Sequence, residues 1–273
     1  SVPERSPHRF AGISRHWEAM KHLAAAFALA ALALVAPATA AGAETRAFRA
    51  DYSVTLLGLP VASARFDSSF EGDRFRIRGS VSSSGVGRLF DDTKGTTSVE
   101  GTIRQGAVLP SAFKADYVSG RKKGRTAIRF AGDAVETVVN EPHKKRNADT
   151  WVAVSEGHLK AVLDPLSAAI VPAAKPEEVC TRTIRFFDGE LRADLKLSPT
   201  GDPKGQNVTC NASFVPVAGY RKGRKQIDYL KNRGRIAVTF APLAGTGLYT
   251  PVDASVSTQA GPLRIVATRI EPR

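Results

Sequence analysis

Alternation of apolar and polar residues with a period of two is the feature of this sequence that most restricts its fold. The clearest run lies at positions 48–56, where every second residue from Phe48 onward is apolar. Two further runs, at 74–81 and 191–197, place arginine or lysine at the polar positions. Because neighbouring side chains of a strand point to opposite faces, each run predicts a strand with one buried and one solvent-exposed face.

Shorter alternating runs and turn signals continue this pattern along the chain. Turn sequences that contain glycine separate the runs at 71–73, 119–120, 132–133, 188–189 and 260–262. Only one stretch indicates a helix, because Asp164 can cap a helix that begins with Pro165. We therefore predict an all-β protein, an antiparallel meander that forms an open or closed barrel or a β-spiral, with one short helix near 164–171.

Charged residues on one predicted strand face argue against a barrel embedded in an outer membrane, whose lipid-facing positions would be apolar. These residues are Arg74, Arg76, Arg78, Arg192 and Lys196. The composition, 42% hydrophobic and 24% charged, is close to that of soluble globular proteins and is sufficient for a sizeable core.

The amino-terminal part predicts an export signal rather than part of the fold. Met20 precedes two polar residues, an apolar run from Leu23 to Val35 and small residues up to Ala43. The apolar run is shorter than the roughly 20 residues that a helix needs to cross a bilayer. We expect a periplasmic protein with no transmembrane segment in the mature chain. The expected parts are an upstream extension (1–19), a signal peptide cleaved near Ala43 (20–43) and a single β-rich domain (44–273).

The two cysteines, Cys180 and Cys210, form an even pair in a chain that we expect to be exported. An oxidising compartment favours their oxidation, and the spacing is not the Cys-x-x-Cys of redox proteins. We predict a structural disulfide between them.

Basic residues exceed acidic ones and give the chain a formal net charge of +13. They concentrate in clusters, mostly within predicted turns, at Arg121, Lys122 and Lys123, at Lys144, Lys145 and Arg146, and at Arg221, Lys222, Arg224 and Lys225. In an exported protein such clusters indicate contacts with anionic lipid, lipopolysaccharide or peptidoglycan. The alternative is a charged surface that only keeps a β-rich protein soluble. Interleaved aromatic residues are missing, so we predict no nucleic-acid partner.

Motifs of common enzymes and cofactor sites are absent from the sequence, including Gly-x-Ser-x-Gly, His-Glu-x-x-His, the P-loop and the dinucleotide fingerprint. A nucleophile among Ser82–Ser84 would need His143 or His158 within hydrogen-bond reach. Asp91 and Asp92 are neighbours, so on a strand they would point to opposite faces. We therefore predict no enzyme, no catalytic residue, no metal site and no cofactor.

Several different short motifs are spread along the predicted mature chain. They are Tyr52, Gly58-Leu59-Pro60-Val61-Ala62, Gly85 with Leu89-Phe90, Leu163-Asp164-Pro165-Leu166-Ser167, Tyr249 with Pro251-Val252, and Gly261-Pro262-Leu263. With these motifs the chain resembles an exported bacterial family described only as domain of unknown function 3108, and the run from Leu163 to Ser167 is the most specific of them. That family is similar to periplasmic β-spiral proteins linked to envelope integrity, and more distantly to half-open barrels that carry lipoproteins. The resemblance implies a binding or structural role in the periplasm and supplies no active-site residues.

Two interpretations of the Leu163–Ser167 run stay open. Asp164 and Ser167 could border a functional opening, because the amino end of a helix presents N–H groups that favour anions. Alternatively, Asp164 and Pro165 only start a short helix that plugs one end of the barrel.

The sequence as a whole predicts a non-enzymatic periplasmic protein that supports the cell envelope by binding an amphipathic or anionic component. Its candidate partners are lipid, lipopolysaccharide, peptidoglycan and envelope proteins. The alternatives are a scaffold that binds proteins along an exposed strand edge without a ligand, and, third, an envelope hydrolase. A cavity large enough for an acyl chain favours the first, and a fully packed interior favours the scaffold.

Overall fold

The computed structural model describes residues 44–90, 92–203 and 205–273, and strands make up most of them. The predicted upstream extension and signal peptide lie outside the described residues. The first seven strands are β1 (Arg46–Leu56), β2 (Leu59–Glu71), β3 (Arg74–Ser83), β4 (Thr93–Arg104), β5 (Ala107–Ser119), β6 (Lys122–Ala131) and β7 (Ala134–Glu141). They are followed by β8 (Trp151–Val152), β9 (Val171–Pro172), β10 (Thr183–Phe187), β11 (Arg192–Pro199), β12 (Val208–Ala218), β13 (Tyr220–Arg221), β14 (Ile236–Leu243), β15 (Leu248–Thr258) and β16 (Gly261–Pro272).

Helices are a minor component of the described chain. The α-helices are α1 (Gly87–Phe90) and α2 (Lys225–Asn232). Short 3-10 helices lie at Glu156–Leu159, Ser167–Ala169 and Pro176–Glu178.

One sheet contains most of the strands, in the order β10-β11-β12-β14-β15-β16-β1-β2-β3-β4-β5-β6-β7, with β9 paired to β15. Every strand pair in it is antiparallel, and β8 and β13 form a separate two-stranded sheet. The predicted antiparallel meander is confirmed. The path of paired strands is open, because β7 and β10 are its two ends.

The gap between β7 and β10 is bridged by residues 160–163, which we call the strap. Lys160 pairs with Ala134 at the start of β7, and Leu163 pairs in parallel with Phe186 of β10. Further along the gap, the Asn140 side-chain amide donates to the Gly189 carbonyl at 2.8 Å. The two edges are therefore connected by a single crossing segment and a side chain, and not by a ladder of strand hydrogen bonds.

The meander gives strands β1–β7 two different ends. We call the end that carries the β2–β3, β4–β5 and β6–β7 turns the closed end, and the end that carries the β1–β2, β3–β4 and β5–β6 connections the open end. The main core lies toward the closed end, where the strap and the residues after it pack against the sheet. Its buried side chains include Phe48, Phe70, Phe75, Val99, Val108, Phe113, Ile128, Phe130, Val162, Ile170, Leu243 and Leu248.

A second core surrounds a disulfide between Cys180 and Cys210, which confirms the predicted pairing. The two Cα atoms are 5.4 Å apart, and both cysteines are buried. The apolar residues around them are Val171, Val179, Ile184, Val208, Phe240 and Tyr249. The bridge ties the segment before β10 to β12.

The helix predicted near 164–171 is a single 3-10 turn at Ser167–Ala169. It ends there because Ile170 is extended and Val171 pairs with Tyr249 in the sheet. The longest described helix, α2, was not predicted, and only its first residue, Lys225, belongs to a basic cluster that we assigned mostly to turns. Its buried residue Ile227 belongs to a third apolar cluster with Phe214, and this tertiary contact stabilises a helix whose sequence is mostly polar.

Arg192 is also placed differently from the prediction, which put it on a solvent-exposed strand face. It is 5% exposed, because the 3-10 segment at Glu156–Leu159 covers this face. The guanidinium donates to the His158 carbonyl at 3.0 Å and pairs with Asp194 at 2.5 Å. Both partners satisfy a charge that burial alone would destabilise.

Candidate functional site

A cleft of about 860 Å³ lies at the open end of strands β3–β7. Its walls come from the last residues of β3, β5 and β7 and the first residues of β4 and β6. They include Val81, Lys94, Gly95, Asp116, Tyr117, Lys123, Gly124, Arg125, Glu141 and Pro142. No residue of the Leu163–Ser167 run is among the residues that line it.

The inner face of the sheet continues from the core into this cleft. Val81 lies four residues after Ile77 on β3, and Tyr117 lies four residues after Phe113 on β5. An even spacing keeps side chains on one face of a strand, so Val81 and Tyr117 extend the face that the core uses.

Glycines leave room on the inner face at the open end. Gly95 of β4 and Gly124 of β6 lie four residues before the buried Val99 and Ile128 and share their face. A Cβ atom on Gly124 would collide with the Tyr117 ring. The Tyr117 ring occupies the space over Gly124, whereas no ring of the described residues covers Gly95, so Gly95 leaves space for the cleft.

Exposed apolar residues concentrate near the open end. Every large apolar side chain of the described residues that is exposed lies on β2, β3, β5 or β7 or in the β1–β2 turn. These residues are Leu57, Leu59, Val81, Tyr117, Val118 and Val139. Leu57 is the most exposed of them at 62%, although its backbone is tied to the next hairpin by a bond from its N–H to the Pro262 carbonyl.

Leu57 also adopts an unusual backbone conformation. Its φ is 53° and that of Gly58 is 79°, so both central residues of this two-residue turn are left-handed. Such turns favour Asn-Gly or Asp-Gly, because a leucine in this region clashes with its own backbone. The β4–β5 turn at the closed end has the same conformation, with Gln105 at 51° and Gly106 at 74°.

The first basic cluster lies at the open end beside the cleft. Arg121 is in the β5–β6 turn, whereas Lys122 and Lys123 begin β6 and are not in a turn as predicted. All three are exposed, and none forms an ion pair with a residue that the structure describes. Lys94, near the start of β4, also lines the cleft, and its Nζ lies 4.0 Å from Asp92 Oδ2.

The second and third basic clusters meet although they are far apart in the sequence. Arg221 of β13 pairs with Trp151 of β8, and the Arg146 guanidinium lies 4.2 Å from the centre of the Trp151 ring. Arg146 also forms an ion pair with Glu190, so it has a structural role here. The remaining cations of these clusters are exposed: Lys144, Lys145, Lys222, Arg224 and Lys225.

The Leu163–Ser167 run holds a buried carboxyl group. Asp164 is fully buried, and its Oδ1 accepts hydrogen bonds from the backbone N–H groups of Leu166 and Ser167, both at 3.0 Å. Its Oδ2 and the Ser167 hydroxyl have no hydrogen-bond partner among the described residues. Burial raises the pKa of Asp164, and the backbone N–H groups oppose this shift.

Three of the side chains considered as nucleophiles or bases, Ser82, Ser83 and His158, have other partners. Ser82 Oγ lies 3.4 Å from Ser63 Oγ, and Ser83 Oγ accepts from the Thr93 N–H at 3.1 Å. His158 Nδ1 accepts from the Ser155 N–H at 3.2 Å. Asp91 lies outside the described residues. Within the described ranges there is no group of three potential metal ligands and no helix long and apolar enough to span a membrane.

Several of the motif residues contact one another at the open end. The carbonyls of Pro60 and Val61 accept from the N–H groups of Val86 and Ser84, at 3.1 and 3.0 Å. A Cβ atom on Gly87 would collide with the Val61 carbonyl, so α1 packs directly on β2. These motifs therefore fix the connection between β3 and β4 against the start of β2.

Tyr52 and Pro251 join β1 to β15 across the intervening strand β16. The Tyr52 hydroxyl donates to the Pro251 carbonyl at 2.7 Å, and its ring packs edge-on against Phe66 with centroids 5.7 Å apart. Burial raises the pKa of the Tyr52 hydroxyl.

Comparisons with known proteins place the chain in a family. No curated protein matches the chain. Among solved structures, it is similar to a crystal structure described as a beta-barrel-like protein of domain of unknown function DUF1849 from Brucella abortus. The identity is 11%, the TM-score is 0.45, and the match covers 85% of this chain and 99% of that one. A family model described as "Protein of unknown function (DUF3108)" matches residues 51–268, so the chain belongs to this family, as its motifs predicted.

Proposed function

We propose that this protein binds an amphipathic molecule with an anionic group in the cleft at the open end, and that it supports the cell envelope from the periplasm without catalysing a reaction. The ligand class that fits best is an acidic lipid with an acyl chain.

The observation that carries this proposal is the combination of an apolar inner wall with unpaired cations at one opening. Val81 and Tyr117 supply the apolar wall, and Lys122, two residues before Gly124 on β6, shares the face of that wall and forms no ion pair with the described residues. The acidic residues of the cleft are partly neutralised, because Asp116 Oδ1 lies 3.8 Å from Arg125 Nε. An acyl chain would contact the wall while its acidic group would bind the free cations.

The size of the cleft supports a ligand of this class. Small-molecule sites occupy about 300–1,000 Å³ and are mostly apolar with a few polar groups. The cleft volume of about 860 Å³ falls in this range. The same strands carry large buried side chains at the closed end, where the pocket between β5 and the strap is smaller, about 450 Å³.

The periplasmic location is supported by two features of the chain. The segment before residue 44 has the pattern of a signal peptide. The disulfide between Cys180 and Cys210 is typical of proteins that mature in an oxidising compartment.

A scaffold function is the second candidate, and one observation favours it. Strand β7 ends the path of paired strands, and its exposed Val139 lies on the part of this edge between the strap at Ala134 and the Asn140–Gly189 hydrogen bond. A partner protein could add a strand there without using the cleft.

Two substitutions of one residue test the proposed ligand. Val81→Glu and Val81→Lys place side chains of similar length but opposite charge in the cleft. Binding of a fluorescent anthroyloxy fatty acid to the mature exported protein is measured by titration. We expect Val81→Glu to bind at least about tenfold more weakly, because like charges near a protein surface repel by on the order of 1–4 kcal/mol.

The lysine variant is the matched control, and we expect it to bind at least as tightly as the unmodified protein. Equal losses in both variants would show that charge plays no part. No binding by the unmodified protein would contradict the proposed function and favour the scaffold.

A further inference from the structure

We propose that the open end docks on the surface of an anionic membrane, with Leu57 and Leu59 entering the interface and Arg121, Lys122 and Lys123 binding acidic headgroups. This inference rests on the proposed function, because it places the mouth of the cleft against the source of its ligand.

The first supporting observation is the leucine in the β1–β2 turn. Leu57 is 62% exposed and has a φ of 53°, a conformation that asparagine or glycine adopts at lower cost. Exposure of the apolar side chain to water and the left-handed backbone conformation both disfavour leucine at this position. The matching turn at the closed end carries the polar Gln105 with nearly the same φ. An exposed leucine in this costly conformation points to a function for its apolar side chain beyond the packing of the fold.

The Leu57 side chain is also supported from below. A Cβ atom on Gly261 would collide with its methyl groups, so the leucine rests on the turn between β15 and β16. Leu59 begins β2 two residues later and is exposed as well. The two leucines therefore project from a turn that is anchored to the neighbouring hairpin.

The second supporting observation is the position of the cations. The β5–β6 turn with Arg121 lies at the same end of the meander as the β1–β2 turn. Lys122 and Lys123 follow it, and Val118 precedes it as an exposed apolar residue. Apolar tips beside lysines and arginines are typical of segments that bind at the interface of an anionic bilayer.

A bilayer explains this surface better than a protein partner does. The centre of a protein interface is depleted in lysine and forms a continuous apolar patch. Here the apolar side chains belong to two separate hairpins, with Leu57 and Leu59 at the β1–β2 turn and Val118 beside the β5–β6 turn. Cations without ion partners among the described residues lie beside Val118. At a membrane surface each basic residue contributes roughly a fivefold gain in binding.

Sedimentation with lipid vesicles tests the docking. The mature exported protein is mixed with phosphatidylcholine vesicles that contain about 30% phosphatidylglycerol, and separately with vesicles of phosphatidylcholine alone. We expect binding to the anionic vesicles only, and we expect it to weaken as salt is raised. Failure to bind anionic vesicles, or equal binding to both kinds, would overturn the proposal.

Charge reversal gives the largest effect in this assay. We expect Arg121→Glu/Lys122→Glu/Lys123→Glu to lower vesicle binding at least about 100-fold, since three contributions of roughly fivefold each are lost and replaced by repulsion. The matched control is Arg74→Glu/Lys160→Glu/Lys175→Glu, which changes the net charge equally but lies away from the open end. Similar losses in both variants would overturn the proposal, because net charge alone would then explain the binding.

A single substitution separates docking from folding. We expect Leu57→Asn to bind vesicles several-fold more weakly and yet to unfold at a higher urea concentration, because asparagine tolerates the left-handed turn. Gln105→Asn in the matching turn should raise the urea midpoint without changing vesicle binding. Unchanged vesicle binding by Leu57→Asn would overturn the role of the leucine.

The same preparations distinguish failure of docking from failure of the proposed function. Protein that binds the fluorescent fatty acid but not the vesicles overturns the docking and leaves the proposed function intact. Protein that binds vesicles through the open end but takes up no fatty acid overturns the proposed function alone.

Discussion

The closed and open ends of strands β1–β7 show two uses of the same inner face. On β5, Phe113 is 4% exposed, and Tyr117, four residues later on the same face, is 46% exposed. On β3, Ile77 is buried and Val81 is exposed in the same way. Val162 of the strap and Ile170, which follows the strap, complete the core at the closed end only. The difference shows that the apolar face of β3 and β5 continues past the part that the core buries.

Truncating Phe113 and Tyr117 of β5 in separate variants tests the difference between the two ends. We expect Phe113→Ala to lower the free energy of unfolding by about 3–5 kcal/mol, the usual cost of removing a buried phenylalanine. Tyr117→Ala should cost less than about 1 kcal/mol, because its ring is half exposed and lies against Gly124, which has no side chain. Urea unfolding of both variants measures the difference. Equal costs would mean that the open end is packed like the closed end.

The second prediction concerns the disulfide beside the closed end. Cys180→Ala/Cys210→Ala should lower the free energy of unfolding by about 3 kcal/mol, because the bridge closes a loop with a sequence separation of 30 residues. Binding of the fatty acid at the open end should stay unchanged under conditions where the variant is folded. Reduction of the unmodified protein is the control, and it should give a similar loss of stability. A loss of ligand affinity in the folded variant would contradict the separation of the two ends.

The third prediction concerns Asp164, which holds the turn after the strap. Asp164→Ala removes the acceptor for two backbone N–H groups and should cost about 1–2 kcal/mol. Asp164→Asn keeps an acceptor oxygen and is the matched control, so it should cost less. Thermal unfolding at a pH near neutrality measures both. A larger loss for the asparagine variant would show that the charge of Asp164, and not its acceptor, stabilises the turn.

The pH dependence of the same pair sharpens this third prediction. Because burial raises the pKa of Asp164, its folded state binds a proton more tightly than its unfolded state, whose pKa is about 3.9. Its contribution to stability is present below that value and is lost as the pH rises through the folded pKa. Stability of Asp164→Asn relative to the unmodified protein should therefore increase with pH above about 4. A pH-independent difference would contradict the assigned shift.

The sequence predicted those parts of the fold that depend on local pattern. The alternation from Phe48 to Leu56 predicted a strand because residue spacing alone decides which side chains share a face. The pairing of Cys180 with Cys210 followed from their number and the expected compartment.

Features that depend on distant contacts could not be predicted from local pattern. Arg192 is buried because a segment more than thirty residues earlier supplies the His158 carbonyl. Helix α2 forms where Ile227 packs on β12, and its apolar spacing from Ile227 to Leu230 is too short to indicate a helix from the pattern alone. The open end escaped prediction for the same reason, since only the fold shows which strand ends the strap leaves uncovered.

If the open end carries an acidic lipid, mass spectrometry of an organic extract from the exported protein should detect it, and the Val81→Glu variant gives the comparison. We predict a lipid in stoichiometric amount from the unmodified protein and a much smaller amount from the variant. Extracts that hold no lipid, or the same amount of lipid from both proteins, would contradict lipid binding at the open end.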